Sequence, residues 1–202
     1  MNITIIDTKS ANLNSVLQAM KRIDNVNVKI SCDLTELEHS DKLILPGVGT
    51  ASAIMDGIKD NDLYDFILNT KKDTLGICLG MQVLATRSQE VPLNSDIDFI
   101  DTLNIVPCDV IFMQKDNLTL PHMGWNTVEH DNHPLFKDIK SNTFFYFVHS
   151  YCIKDNAYTI GRCTYGQTFS AAICRDNFIG VQFHPEKSGA QGLKLLENFI
   201  KL

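Results

Sequence analysis

The hydrophobic pattern in the first half of the chain alternates between two kinds of segment. Short runs rich in β-branched residues predict buried strands at 2–7, 26–30, 41–49 and 74–78. Residues 11–23 and 52–70 instead carry apolar side chains at intervals of three and four, which predicts helices. Because parallel strands need long crossover connections, this alternation predicts a parallel sheet with helices on both faces.

The second half of the chain has a different pattern. Apolar segments there follow one another through short turns, at 144–151, 158–165, 169–176 and 178–186. Such close spacing predicts antiparallel hairpins attached to the sheet. Residues 188–202 return to helical spacing, and Ser188 is predicted to cap the N-terminus of that helix. The predicted fold class is α/β, with an open, mostly parallel sheet flanked by helices and antiparallel strands in the C-terminal half.

Length and composition limit the classes of function. The 202 residues suffice for one well-cored domain, so we predict a single domain over residues 1–202. The formal net charge of -6 argues against a surface for nucleic acid or for an anionic membrane. No leader pattern opens the chain, and no uncharged apolar run approaches about 18 residues. We therefore expect a cytoplasmic protein that binds small molecules or a protein partner.

The cysteines and histidines show no metal-binding pattern. The six cysteines include no C-x-x-C pair, and the chain is larger than the small disulfide scaffolds of secreted proteins, so reduced thiols are expected. The six histidines lack zinc spacing, and His130 and His133 lie in a polar stretch where solvated side chains are predicted. We expect no metal and no cofactor.

One cysteine stands in a special position. Cys78 ends the predicted strand 74–78 and lies between Gly76 and Gly80, just before a segment with helical spacing, 81–89. A sharp turn of this kind exposes a nucleophile, while the glycines leave room for crowded backbone and the helix N-terminus favours a thiolate. The alternative is a small buried hydrophobic residue, which is our interpretation of the other five cysteines.

A cysteine nucleophile needs a base, and two histidines are candidates. On an extended strand His184 and Glu186 project to the same side, so that the carboxylate can fix the tautomer of the imidazole. His149 is the rival base, but its aromatic neighbours suit a packed, hydrogen-bonded histidine. The spacing favours His184 as the base and Glu186 as the group that orients it.

Acyl chemistry at a thiolate also needs donors for the oxyanion. The N–H group of Leu79, the residue after the nucleophile, is one candidate, and the glycine-rich turn 46–49 at a neighbouring strand end can supply another. The alternative for this turn is an ordinary tight turn. A phosphate loop is excluded because no Gly-Lys-Ser/Thr follows.

Five stretches together resemble a known family. In chain order they are PGVG (46–49), GICLGMQ (76–82), PHMGWN (121–126), YFVHSY (146–151) and FHPEKS (183–188). The first, second and last resemble the class I, triad-type glutamine amidotransferases, and the other two are similar to the glutaminase subunits of imidazole glycerol phosphate synthase. The similarity spans the whole chain. It departs at Ala11, where many members carry a glycine before the asparagine that is Asn12 here.

The resemblance implies a function and a set of site residues. It implies that Cys78 attacks the side-chain amide of L-glutamine, that His184 transfers the proton and that Glu186 orients His184. It further implies an oxyanion hole formed by the N–H groups of Val48 and Leu79. The residues that it implies for glutamine binding are Gly47, Gly49, Gln82, Ser150 and Tyr151.

The resemblance also implies a protein partner. That partner is the cyclase subunit of imidazole glycerol phosphate synthase, a (β/α)₈ barrel that forms a heterodimer with the glutaminase and receives its ammonia to make imidazole glycerol phosphate and AICAR. Asn12, Trp125 and Lys187 are the residues predicted for the shared interface. Trp125 could instead pack within the chain, and Lys187 could be a solvated lysine.

Other functions stay open at this point. The chain could be a stand-alone cysteine hydrolase acting on γ-glutamyl substrates, or a glutaminase subunit that serves another acceptor, such as chorismate or a purine nucleotide. A non-catalytic binding module of the same fold is a third alternative. The presence of Cys78, His184 and Glu186 together argues against the third.

Overall fold

The computed structural model describes residues 1–9, 13–47, 49–92, 94–114 and 118–202. Its helices are α1 (Asn14–Met20), α2 (Leu34–Glu38), α3 (Ala51–Asp60), α4 (Leu63–Asn69), α5 (Leu79–Gln82) and α6 (Gly189–Lys201). Its strands are β1 (Asn2–Ile6), β2 (Asn27–Ser31), β3 (Lys42–Gly47), β4 (Thr74–Cys78), β5 (Arg87–Ser88), β6 (Ile100–Asp101), β7 (Asp109–Phe112), β8 (His122–His130), β9 (Thr143–His149), β10 (Tyr151–Ile153), β11 (Thr159–Tyr165), β12 (Gln167–Arg175) and β13 (Phe178–Val181). Short 3₁₀ helices lie at Pro134–Phe136 and Pro185–Lys187.

The main sheet combines a parallel and an antiparallel half. Within the described ranges it has nine strands in the order β2-β1-β3-β4-β13-β12-β11-β8-β9. The pairings from β2 to β13 are parallel, and those from β13 to β9 are antiparallel. The predicted fold class, an α/β protein with a mostly parallel sheet and antiparallel strands in its C-terminal half, is confirmed.

Alternating side chains of the sheet build a core on each face. On β3, Ile44 packs on one side, with a cluster that includes Phe199 of α6, whereas Leu43 and Leu45 pack on the other with Ile54 of α3. All of these side chains are fully buried. Because successive side chains of a strand point to opposite faces, one apolar strand supplies both cores.

Several elements differ from the sequence prediction. The helix predicted over 52–70 is two helices, α3 and α4, because Asp62 between them adopts a left-handed backbone with φ 55°. The helical segment predicted after Cys78 ends at Gln82, since the chain then enters a second, small sheet in the order β10-β7-β5-β6. The hydrophobic pattern did not predict this sheet, whose strands β5 and β6 have only two residues each.

The segment around Ser188 also differs. The last strand predicted over 178–186 ends at Val181 and is followed by the 3₁₀ helix Pro185–Lys187. Ser188 precedes α6 but makes no capping bond, because its hydroxyl donates to the His184 carbonyl at 2.6 Å and accepts from the Tyr146 N–H at 3.0 Å. Ser188 therefore occupies the predicted N-cap position of α6, but its side chain does not cap the helix. Ser188 instead connects the edge strand β9 to the segment that carries His184 through these two hydrogen bonds.

The fold bears on two further expectations, one about membrane-spanning segments and one about solvated histidines in the polar stretch 130–133. Within the described ranges no helix is long and apolar enough to cross a membrane. His130 is not a solvated loop residue: it ends β8, its ring stacks on Phe136 with centroids 4.3 Å apart, and its ring nitrogens lie within hydrogen-bonding distance of two backbone carbonyls.

Candidate active site

A strained turn presents Cys78 at the end of β4. The residue has φ 55° and ψ -111°, a backbone conformation that costs energy for any residue other than glycine. Two glycines make the turn sterically possible. A Cβ atom on Gly80 would lie 1.8 Å from the Leu45 carbonyl oxygen, and one on Gly76 would lie 2.7 Å from the Gly80 oxygen. The Gly-x-Cys-x-Gly spacing therefore reflects close packing of backbone on backbone.

The parallel strands bring distant residues to the same edge of the sheet. Cys78 is the register partner of Gly47 at the end of β3, and Ile77 is the partner of Val181 at the end of β13. His184 follows Val181 by three residues. Because parallel strands share their carboxyl edge, the turn after β3, the elbow after β4 and His184 converge there.

His184 and Glu186 form a buried pair. Nδ1 of His184 lies 2.8 Å from Oε1 of Glu186, and both side chains are 3% exposed. Burial lowers the pKa of His184, but interactions with Cys78 and Glu186 outweigh it and raise this pKa from 6.5 to about 9. Among the described residues, Nε2 of His184 has no hydrogen-bond partner. That nitrogen is available for a reacting group.

A buried amide network lies beneath Cys78. Nε2 of Gln182 donates to the Cys78 sulfur at 3.7 Å, while Oε1 of Gln182 accepts from Nε2 of Gln82 at 2.9 Å. Gln82 also donates to the Tyr151 carbonyl at 2.9 Å. The network joins the nucleophile to the opposite wall of the site. Gln182 is fully buried, and no sequence motif marked it as a contact of Cys78.

A cavity of about 230 Å³ opens above Cys78. This volume lies below the roughly 300 to 1,000 Å³ of drug-sized sites, so it suits a ligand of amino-acid size. The predicted site residues that line it are Gly47, Gly49, Cys78, Leu79, Gln82, Ser150, Tyr151 and His184. Glu186 lies behind His184. The described part of the chain thus gathers the predicted triad and the predicted substrate residues around one cavity.

Glu90 is a cavity residue that the sequence prediction missed. Its Oε2 accepts a hydrogen bond from the Ala51 N–H at the start of α3, at 2.9 Å. Burial raises the pKa of Glu90, and the bond from Ala51 partly offsets this. No motif surrounds Glu90, so only the three-dimensional structure reveals an acidic group facing the ligand space.

His149 lies in the same cavity, but its ring is already engaged. Nδ1 lies 2.8 Å from the Tyr151 carbonyl, and Nε2 lies 3.1 Å from Nδ1 of His122. Burial lowers the pKa of His149 to about 3. Of the two candidate bases, His184 is therefore the one with an open ring nitrogen and a carboxylate partner.

The remaining cysteines differ from Cys78 in their surroundings. All six are free thiols. Burial raises the pKa of Cys108, Cys152 and Cys163 to about 12, which keeps these thiols protonated. Among the described residues, no group of three or more His, Cys, Asp or Glu side chains is arranged to hold a metal ion.

An exposed apolar face lies beside the site on β8 and β9. The side chains of Met123, Trp125 and Phe144 are 65%, 55% and 57% exposed. Trp125 makes an edge contact with Tyr146, their ring centroids being 6.1 Å apart, and the exposed Lys187 lies over the ring of Tyr146. Val48 and Asn12, predicted for the oxyanion hole and the interface, lie outside the described residues.

The sequence model of the family "Glutamine amidotransferase class-I" matches residues 4–202. The chain belongs to this family. The match covers both the strand ends that carry the cavity and the antiparallel half of the sheet.

Full-length relatives narrow the class. The chain is 48% identical to "Imidazole glycerol phosphate synthase subunit HisH" of Escherichia coli strain K12, with all of both chains covered. It is 50% identical to "Imidazole glycerol phosphate synthase subunit HisH 2" of Campylobacter jejuni strain RM1221, covering 100% of this chain and 98% of the relative. Within the class I amidotransferases, the chain groups with the HisH subunits.

Solved structures share the fold at much lower identity. PurLQS from Thermotoga maritima superposes with a TM-score of 0.72 at 15% identity, covering 99% of this chain and 97% of the other. A glutamine amidotransferase from the same organism gives 0.62 at 17% identity, covering 100% and 82%. These likenesses concern the fold alone.

Proposed function

We propose that the protein is the glutaminase subunit of imidazole glycerol phosphate synthase, which hydrolyses L-glutamine and delivers ammonia to a cyclase subunit in histidine biosynthesis. The observation that carries the proposal is the meeting of Cys78, His184 and Glu186 at a cavity of amino-acid size. Full-length relatives of this name, 48% and 50% identical, support the choice of acceptor.

The first half of the reaction forms a thioester. The Cys78 sulfur attacks the side-chain amide carbon of glutamine, and the carbonyl electrons move to oxygen. His184 carries the thiol proton and transfers it to the amide nitrogen, so that ammonia leaves as the carbonyl re-forms. Glu186 holds the Nδ1 side of His184 through the 2.8 Å contact and stabilises the imidazolium.

The second half hydrolyses the thioester. His184 accepts a proton from water, whose oxygen attacks the thioester carbon, and the proton returns to the Cys78 sulfur as glutamate is released. Both tetrahedral intermediates need donors for the oxyanion. Leu79 opens α5, where backbone N–H groups lack helical partners, and we assign its N–H as one donor and that of Val48 as the other.

The cavity wall supports recognition of a free amino acid. The Glu90 carboxylate, with one oxygen held by the Ala51 N–H, is the acidic group suited to the α-ammonium of glutamine. Gln82 has both amide hydrogens engaged, by the Tyr151 carbonyl and by Gln182, which leaves its own oxygen as an acceptor. Ser150, Tyr151, Gly47 and Gly49 also line the cavity.

A cyclase partner is part of the proposal. The exposed face formed by Met123, Trp125 and Phe144 consists of a methionine and two aromatic residues, types that are enriched at interfaces, and Lys187 adds a charge at its border. We assign this face to the partner. We further propose that residues 1–202 act as one domain, which is supported by the family match over 4–202, and that the protein is cytoplasmic.

The test is a glutaminase assay with and without the cyclase subunit and its nucleotide substrate. Glutamate release should be slow for the isolated chain and rise when both are added. Full activity without the cyclase, together with turnover of γ-glutamyl peptides, would instead support the stand-alone hydrolase. Stimulation by a synthase for another acceptor, but not by the cyclase, would refute the assigned acceptor.

A further inference from the structure

Two buried histidines connect the antiparallel half of the sheet to the wall of the cavity. His149 ends β9, and His122 is its register partner at the start of β8. Nδ1 of His149 lies 2.8 Å from the Tyr151 carbonyl oxygen, and Nε2 lies 3.1 Å from Nδ1 of His122. The second ring nitrogen of His122 lies 3.3 Å from the Asn126 amide nitrogen. These groups form a continuous chain of hydrogen bonds, which we call the histidine relay.

The chemistry of the end groups sets the direction of the relay. The Tyr151 carbonyl can only accept, so Nδ1 of His149 carries a proton and its Nε2 accepts one from Nδ1 of His122. The Asn126 amide nitrogen donates to the Thr164 carbonyl at 3.1 Å, which orients that amide to donate to His122 as well. Each ring therefore has one N–H group and one acceptor nitrogen.

Burial keeps both rings in this neutral state. It lowers the pKa of His122 to about 4, and it lowers that of His149 to about 3. The neighbouring charged group from the segment after β13, His184, opposes protonation of His149 further. Neither ring gains a proton at neutral pH, so the donor and acceptor roles of the ring nitrogens do not change.

Aromatic packing fixes the position of the rings. His122 lies between Tyr165 and Phe147, with ring centroids 4.1 Å and 4.9 Å away and nearly parallel planes. His149 meets the Phe169 ring edge-on at 5.0 Å. Because these contacts prevent rotation of the imidazoles, the donor on His149 stays aimed at the Tyr151 carbonyl.

The relay ends on the segment that forms the cavity wall. The Tyr151 carbonyl receives a second hydrogen bond from Gln82 at 2.9 Å, and the adjacent Ser150 carbonyl accepts one from the Met113 N–H at 2.9 Å. Both carbonyl groups are therefore held by the protein. The Tyr151 carbonyl belongs to the Tyr151–Cys152 peptide group, so the His149 donor fixes the backbone on the C-terminal side of Tyr151, next to the Ser150–Tyr151 peptide that lines the cavity.

We propose that His122 and His149 are positioning residues that hold the Tyr151 carbonyl and thereby keep the backbone of Ser150 and Tyr151 in place to receive the amino-acid end of glutamine. The inference rests on the proposed function for the identity of the ligand. Neither imidazole transfers a proton in the reaction, because the ring nitrogens of His149 are occupied and His122 does not line the cavity.

The relay predicts a specific pattern among variants at His122. His122→Phe keeps a ring for stacking but removes the donor to His149, and it should raise the KM for glutamine about fivefold to tenfold, as expected for one lost hydrogen bond, with kcat within about twofold. In His122→Asn the amide nitrogen takes the place of Nδ1 and should restore most of the affinity. His130→Phe, which alters a stacked histidine on the same strand away from the cavity, should leave KM unchanged.

Two kinetic outcomes would overturn the proposal. An unchanged KM in folded His122→Phe would show that the donor does not matter for glutamine. An increase in KM that His122→Asn fails to restore would show that ring packing is the only role. Should His122→Phe fail to fold, Asn126→Leu removes the next donor of the relay, and an unchanged KM there would overturn the proposal equally.

A measurement without glutamine separates this inference from the proposed function. In the protein labelled with ¹⁵N-histidine, the imidazole nitrogen shifts should show His122 and His149 protonated at Nδ1 only, from pH 5 to 8. Protonation of His149 at Nε2, or titration in this range, would overturn the relay. If these shifts are as expected but no glutamine is hydrolysed in any complex, the proposed function fails and the relay does not.

Discussion

The close contact beneath the nucleophile makes Gly80→Ala a sharp test of the elbow. A Cβ atom at this position would lie 1.8 Å from the Leu45 carbonyl oxygen and 2.8 Å from its carbon, whereas real contacts essentially never fall below 3.0 Å. Both partners are backbone, so no side chain can rotate away. The end of β3 and the start of α5 must therefore separate by about 1 Å or more.

That displacement should affect catalysis more than stability. Overpacking of this kind costs about 1 to 3 kcal/mol of unfolding free energy, so the protein should still fold. The displaced segments carry Gly47 and the Leu79 N–H, and a misplacement of about 1 Å at reacting groups can lower the rate by about 10²-fold. We expect a loss of that size in kcat for glutamine hydrolysis, measured in the complex with the cyclase subunit.

A matched variant separates the effect of displacing the elbow from the effect of lost stability. A Cβ atom on Gly57 would lie 1.9 Å from the Thr8 carbonyl oxygen, so Gly57→Ala creates a similar clash between α3 and the segment after β1, away from the elbow. Urea unfolding should give comparable stability losses for both variants, with a much larger kcat loss for Gly80→Ala. Equal activity losses in the two variants, or full activity in Gly80→Ala, would refute the packing argument.

Three further changes test neighbouring parts of the site. Protonation of His184, whose pKa is raised from 6.5 to about 9, stabilises the fold below pH 6.5, and this stability is lost as the pH rises through 9. This pH dependence of stability amounts to at most about 3 kcal/mol of unfolding free energy, and Glu186→Gln should reduce it. An unaltered slope of unfolding free energy against pH would contradict the pairing of His184 with Glu186. Gln182→Leu should lower the free energy of unfolding, measured in urea, by about 1 to 3 kcal/mol, because the buried amide of Gln82 loses its acceptor. Wild-type stability would count against the network beneath Cys78. Glu90→Gln should raise the KM for glutamine roughly tenfold to hundredfold through loss of a charge-assisted bond, and an unchanged KM would remove Glu90 from the ammonium site.

The parallel half of the fold could be predicted because its signals are local. Each buried strand is a short apolar run, and the elbow at Cys78 is marked by glycines that the structure explains as backbone contacts. Prediction failed where local preference competes with tertiary contacts. Ser188 resembles a helix cap, yet its hydroxyl bonds to His184 and Tyr146, which lie close only in the folded chain.

The small sheet and two site residues could not be predicted for related reasons. Strands of two residues carry no periodic pattern, and β5 and β6 are recognisable only through their partners. Glu90 lies in no motif, and Gln182, which precedes FHPEKS (183–188), carries no signal of its own for a contact with Cys78. Their relation to Cys78 arises from the approach of segments separated by many residues, and Gln182 makes its contact across 104 positions of sequence.

The most direct test of the account is product formation by the complex of Cys78→Ala with the cyclase subunit. With glutamine as the nitrogen source, imidazole glycerol phosphate should no longer form, because no thioester can be made. With ammonium salts, formation should continue at the wild-type rate, since the cyclase site is untouched. Equal loss with both nitrogen sources, or continued formation from glutamine, would contradict the assignment of Cys78 to glutamine chemistry.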